Sequence, residues 1–153
     1  ARKMIADTLA EHEPMAKKRG LTLGIEDFDP SPTLICSAAD CLAILKRARG
    51  KVKLVFDTGN FMAAGESADK NLPLMYDHIC SFHIKDYGRD PDNPSRRKAF
   101  PLGKGEIPNA AVLAEAIRRG FSGWVALESR AGVPPRQAIP SDLATLKGWL
   151  KTA

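Results

Sequence analysis

Apolar residues along this chain switch repeatedly between a spacing of three to four and short continuous runs. Each switch falls at a glycine, a proline or a charged residue. Residues 1–19 carry Met4, Ile5, Leu9 and Met15 at helical spacing and close on Gly20, the pattern of a helix. Residues 21–25 form an apolar run, a predicted strand ending at Glu26. Ser37 with Asp40 three residues on has the form of a capping box, and the helix it opens sets Cys41, Leu42 and Leu45 on one face before stopping at Gly50. A second strand is predicted over 51–56, ending at Asp57, then a short helix over 68–76 and a third strand over 79–82, ending at His83. Residues 87–100 are polar and rich in proline; they read as a long loop, and the stretch 87–105 as a candidate lid. Pro108 and Gly120 bracket a helix with Val112, Leu113, Ala116 and Ile117 inward. A fourth strand over 124–127 ends at Glu128, and a helix over 141–150 closes the chain.

Strands with apolar interiors, each followed by a helix, predict an α/β fold with a parallel sheet covered by helices. No glycine-rich fingerprint opens a helix after a strand, which weighs against a nucleotide-binding doubly wound fold. Glu26, Asp57, His83 and Glu128 each fall at the C-terminal end of a different predicted strand. In a (β/α)8 barrel such ends converge on one mouth, where active sites lie. A whole barrel needs about 250 residues, so this single domain of 153 residues is expected to be about half of one. Half a barrel leaves two open sheet edges and an uncovered apolar interior. An N-terminal half-barrel or a second copy is therefore expected as partner. The chain begins without Met inside a helix-period stretch, so sequence upstream is also expected.

Three carboxylates and one imidazole make a hard, oxygen-rich ligand set suited to Mn²⁺ or Mg²⁺, with Co²⁺ or Zn²⁺ as alternatives. Composition narrows the setting. With 44% hydrophobic and 27% charged residues and no apolar run of membrane-spanning length, the chain reads as soluble, with no membrane partner. Three cysteines without ligand spacing read as reduced, cytoplasmic thiols. The net charge of +5 is spread over Lys17-Lys18-Arg19, Lys46-Arg47-Ala48-Arg49, Arg96-Arg97-Lys98 and Arg118-Arg119. Most of these runs are placed at helix C-termini, where cations complement the macrodipole; the alternative is a surface for a phosphorylated substrate or nucleic acid. His12 is expected on an exposed helix face, His78 as a packing or capping residue, and Trp124 and Trp149 in packing.

The segments Gly24-Ile25-Glu26-Asp27, Phe56-Asp57-Thr58-Gly59-Asn60, Phe82-His83-Ile84-Lys85-Asp86, Leu102-Gly103-Lys104-Gly105-Glu106-Ile107 and Gly123-Trp124-Val125-Ala126-Leu127-Glu128 occur in an informative order and spacing. Together they resemble the C-terminal half of the xylose-isomerase-like TIM-barrel superfamily, in its sugar (phosphate) isomerase/epimerase branch. The resemblance implies that Glu26, Asp57, His83 and Glu128 ligate a divalent metal and that Glu26 and Glu128 form the catalytic acid/base pair. It places Arg89 at a substrate-contacting position, with Lys85 and Asn60 as further substrate-binding candidates; an ion pair is the structural alternative for Lys85. Many free-ketose epimerases have histidine where this chain has Asn60, which tilts the reading toward sugar-phosphate substrates. Asp27 stands where asparagine is frequent and is expected to back the site, or else to be a solvated loop carboxylate. The glycines at 103 and 105 are expected to serve backbone geometry.

The implied activity is a metal-dependent sugar or sugar-phosphate isomerase/epimerase, removing a proton beside a carbonyl through an enediolate. The alternative is a lyase or dehydratase acting on an inosose, a dehydroshikimate-like or a 3-keto sugar substrate. An abasic-site endonuclease is disfavoured, because only three histidines occur and none lies in the loop before Gly103; nucleic acid is accordingly not an expected partner. An inactive fragment is the remaining reading.

Overall fold

The computed structural model describes residues 1–30, 34–129 and 133–152. Helix α1 (Arg2–Lys18) leads into β1 (Gly24–Glu26), α2 (Ala38–Arg47) and β2 (Lys53–Asp57). A 3₁₀ turn (Asn60–Ala64), α3 (Ala68–Met75) and a second 3₁₀ turn (Tyr76–His78) precede β3 (Ile79–Ile84). An antiparallel pair follows, β4 (Asp86–Asp90) and β5 (Asn93–Phe100), then α4 (Asn109–Arg118), β6 (Trp124–Leu127) and α5 (Pro135–Thr152). The start of α2 is set by Ser37, whose Oγ accepts the Asp40 N–H at 3.2 Å.

The main sheet has the order β1-β2-β3-β6 with every pairing parallel, the four β/α units expected of half a barrel. Ile25, Leu54, Phe56, Phe82 and Ile84 turn one face of it to the helices and are buried. Phe56 is the hub: its ring centroid lies 4.9 Å from Phe61 and 5.4 Å from Phe82, which meets Phe121 edge-on at 4.8 Å. Cys36 and Cys41 are buried and Cys80 half-buried, all as free thiols. No helix among the described residues is long and apolar enough to cross a membrane.

The opposite face carries Glu26, Asp57, His83 and Glu128 at its C-terminal rim and is left partly open by the described residues, with Val55 and Ser81 half-buried. Trp124, whose register partner is Ser81, is 84% exposed, and Ala126, beside His83, is exposed too. The expectation that Trp124 serves in packing is thus not met among the described residues. An apolar strand run predicts burial only if both faces are covered, and the described residues leave this face open at Trp124 and Ala126. Met4 on α1 and Ile139, Leu143 and Leu150 on α5 are exposed as well, so exposed apolar side chains also occur on the first and last helices. Trp149 does pack against the core.

Two other expectations change. Residues 87–100 are a β-hairpin, with Arg89 opposite Arg97 and Gly88 opposite Lys98, where the sequence read as a loop. The hairpin lacks alternation because it is polar on both faces. It is seated instead by Gly88, where a Cβ would lie 3.0 Å from the Phe100 ring. Helix α5 begins before Ser141 and runs through Pro140, on an exposed stretch where water can take the unpaired carbonyl. As expected, most of the basic runs end helices, namely α1, α2 and α4, while Arg96-Arg97-Lys98 lies on β5.

Candidate metal centre

Parallel register brings the four strand ends to one level. Asp57 closes β2 directly beside His83 of β3, His83 pairs with Ala126 two residues before Glu128, and Glu26 closes β1 beside Val55. The ladder runs on past the strand ends: the Thr58 N–H donates to the His83 carbonyl at 3.0 Å and the Glu128 N–H to the Ile84 carbonyl at 2.8 Å. As a result Glu26, Asp57, His83 and Glu128 each present one ligand atom, all within 4.8 Å of one another. His83 Nδ1 lies 3.3 Å from Glu26 Oε1 and 3.1 Å from Glu128 Oε1.

The set fits a divalent cation. His83 Nδ1 is buried without a hydrogen-bond partner among the described residues while carboxylate oxygens face it. Converging lone pairs of this kind are what a cation satisfies. Among these four, Asp57 is fully buried and the other three are partly open.

Asp57 is held on every side. Its Oδ1 accepts the Gly59 and Asn60 N–H groups at 2.9 and 3.0 Å, and its own N–H donates to Asp27 Oδ1 at 2.8 Å. Its Oδ2 meets Lys85 Nζ at 2.8 Å. Burial pushes the Asp57 carboxyl up to about 6, against the lowering pull of Lys85. Lys85, itself buried, also reaches Glu128 Oε2 at 3.0 Å. Burial works to lower its pKa, but Asp57 and Glu128 outweigh that and hold the ammonium above its ordinary value. Gly59 makes room for this bridge, since a Cβ there would lie 2.7 Å from Lys85 Cγ and 3.0 Å from the Tyr87 ring. Among the described residues, three carboxylates against one ammonium leave the cluster two negative charges, the complement of a divalent ion.

Asn60 sits at the centre's edge, fully buried, donating to the Asp27 carbonyl at 2.5 Å and to Glu26 Oε1 at 3.4 Å. Asp27 is not a solvated carboxylate: it is buried, and desolvation holds it well above the usual carboxylate range. Arg89 stands apart from the cluster on β4, largely exposed, with Glu106 Oε2 at 3.9 Å from its Nε. His12 is exposed and His78 half-buried, and neither belongs to the four-residue cluster.

Two residues that sequence reading passed over complete the support. Asp86 accepts the N–H groups of Gly103, Gly105 and Ile107 at 2.8, 3.1 and 3.2 Å, fixing the turn before α4; a Cβ at Gly105 would overlap its carboxylate. Asn109 donates to the Lys85 carbonyl at 3.0 Å and accepts from Thr58 Oγ1 at 2.5 Å, locking the chain on either side of the bridge. The only signals for these were the contiguity of Asp86 with the His83 motif and the polar residue after Pro108.

The sequence profile of the xylose isomerase-like TIM barrel family matches residues 1–152, and the chain belongs to that family. It is 28% identical over 106 residues to an inosose dehydratase of Mesomycoplasma hyopneumoniae, a match covering 61% of this chain and 35% of that protein. The solved structure of an L-ribulose 3-epimerase superposes with a TM-score of 0.79 at 21% identity, over 99% of this chain and 54% of the other. A xylose isomerase-like TIM barrel protein from Mycobacterium smegmatis, solved in complex with magnesium, gives 0.78 at 19% identity, over 98% and 51%. The chain thus spans about half the length of these solved structures.

Proposed function

We propose that this chain carries the metal centre of a carbohydrate isomerase or epimerase, moving a proton at a carbon beside a carbonyl. The observation that carries the reading is the convergence of Glu26, Asp57, His83 and Glu128 from four strands within 4.8 Å. These four residues would hold the ion, Mn²⁺ or Mg²⁺ by the hardness of the set. Once bound, a divalent cation supplies positive charge to the carbonyl and neighbouring hydroxyl oxygens of a ketose, which acidifies the carbon beside them. Of the carboxylates, Glu26 and Glu128 remain partly open to a substrate, whereas Asp57 is sealed. One takes the proton and the other returns one, to the opposite face or the adjacent carbon. Lys85 holds Glu128 in place through the 3.0 Å contact, and Asn60 does the same for Glu26. Arg89 contacts the distal part of the substrate.

A second reading has its own support in the similarity to inosose dehydratases. The same proton abstraction followed by loss of a β-hydroxyl makes a lyase, with the second glutamate protonating the leaving oxygen. Incubation with Mn²⁺ in D₂O over ketoses, ketose phosphates and inososes separates the two. Deuterium at the carbon beside the carbonyl without loss of water supports isomerisation; an unsaturated product supports elimination; neither, with any substrate, refutes both.

The uncovered inner sheet face completes its barrel against four further β/α units, from an N-terminal half-barrel or from a second copy. Exposed Trp124 and the open edges β1 and β6 motivate this. The free thiols fit a cytoplasmic setting.

A further inference from the structure

We infer that Asp142, on the last helix, is a positioning residue for Glu128. Through Ser129 it fixes the chain at the end of β6, and with it the carboxylate proposed to hold the ion and move a proton. This role rests on the metal centre proposed above and brings α5, which supplies none of the four ligands, into its support.

The buried positions of α5 are Ala138, Asp142 and Leu146, so an aspartate interrupts the apolar stripe that seats the helix. It is only 2% exposed. A carboxylate withdrawn from water destabilises a fold unless hydrogen bonds replace the water, and here each oxygen has one. Oδ1 accepts the Leu102 N–H at 2.9 Å, and Oδ2 accepts the Ser129 hydroxyl at 2.5 Å. An apolar side chain would fill the stripe; it would not join these two segments.

The two segments flank a single contact of the metal centre. Ser129 follows Glu128 directly, and the Glu128 N–H is paired with the Ile84 carbonyl at 2.8 Å. Backbone bonding thus holds this strand end on its β3 side, and Ser129 ties it to the helix. Leu102 opens the turn whose Gly103, Gly105 and Ile107 N–H groups converge on Asp86, the residue after Lys85. Asp142 therefore connects the chain beside Glu128 to the turn anchored beside Lys85, and Lys85 Nζ meets Glu128 Oε2 at 3.0 Å. Helix α5 is itself seated on that turn: at Gly103, whose φ is +83°, a Cβ would meet Trp149 at 3.2 Å and Thr145 at 3.5 Å. Ligand and acid/base groups work only when held within about 0.5 Å of their productive geometry. Glu128 is a long, partly open side chain, so that precision requires a fixed backbone beneath it. An O–H···O bond to a carboxylate is short and strong enough to supply it.

Mn²⁺ affinity of the full chain, measured by calorimetry, tests this with S129A, D142A and D142N, each alone and combined with E128Q. L146A serves as a change of packing in the same stripe. S129A and D142A are expected to weaken Mn²⁺ binding at least fivefold when Glu128 is present and less than twofold in the E128Q background, where nothing is left to position. D142N keeps an acceptor for Leu102 and can donate to the Ser129 hydroxyl, so it should bind within threefold of wild type. L146A should lower the urea midpoint and leave the affinity within twofold. Unchanged affinity in S129A and D142A, or the same loss with and without Glu128, overturns the positioning role. If D142A does not fold, S129A decides alone, since it leaves the Asp142–Leu102 bond in place. If the unmutated chain binds no Mn²⁺, the metal reading fails and the tether is read without metal. In EDTA the urea-midpoint shift caused by E128Q should then shrink by half or more in S129A, and an equal shift in both backgrounds overturns it.

Discussion

Lys85→Met removes the ammonium that bridges Asp57 and Glu128 and leaves Asp57 fully buried without that charged partner. Removing one member of a buried ion pair costs about 3–5 kcal/mol, because the remaining charge keeps its desolvation penalty and loses its compensation. Asp57 has an escape, since burial already pushes its carboxyl up to about 6 with Lys85 in place. Without Lys85 it rises further and takes up a proton on folding. The loss of stability is therefore expected to depend on pH: about 3–5 kcal/mol at pH 8 and under about 2 kcal/mol at pH 5, where the neutral acid needs no partner. Urea unfolding of wild type and variant in EDTA at both pH values reads this directly. A loss below about 1 kcal/mol at pH 8, or the same loss at both pH values, would show that the bridge is not the buried, charge-compensating pair described here.

Further expectations follow from the same geometry. In the metal-free chain the raised Asp57 carboxyl stabilises the fold below the unfolded value near 3.8, by about 3 kcal/mol, and that contribution is lost as pH rises through about 6. Cation binding runs the other way, so Mn²⁺ affinity should fall as pH drops below about 6; an affinity flat from pH 8 to pH 5 would contradict the role of Asp57. Asp86→Ala strips the acceptor from three backbone N–H groups before α4 and should destabilise by about 2–4 kcal/mol, read by thermal unfolding, with a loss under about 0.5 kcal/mol counting against it. Burial pushes the Cys36 thiol up to about 11, so it should resist a disulfide reagent at pH 8 until the chain is unfolded; prompt labelling of Cys36 in the native state would refute that.

The parallel β/α order and the convergence of Glu26, Asp57, His83 and Glu128 were legible in the sequence because each of the four terminates an apolar run, and strand ends in such a sheet share a rim. What was illegible depends on tertiary partners. Lys85 follows a strand in the sequence as many surface lysines do; only the cleared space at Gly59 and the two carboxylates flanking it make it a buried bridge. The hairpin over residues 86–100 carries no alternation because neither of its faces is core, so polar strands looked like loop. Trp124 was misplaced by assuming that an apolar run is covered on both faces, which this half of a barrel does not provide. Arg89, a substrate-contacting position by resemblance, lies on the hairpin with Arg96 and Arg97, a placement that the loop-like sequence did not show.

Mn²⁺ titration followed by electron paramagnetic resonance, on wild type and on the single variants E26Q, D57N, H83Q and E128Q, tests the shared centre most directly. One ion per chain is expected, with affinity falling at least tenfold in every variant and the imidazole nitrogen coupling vanishing in H83Q. Wild-type affinity in any of the four, or a bound ion with no nitrogen coupling in the unmutated chain, would contradict a common cation held by these four side chains.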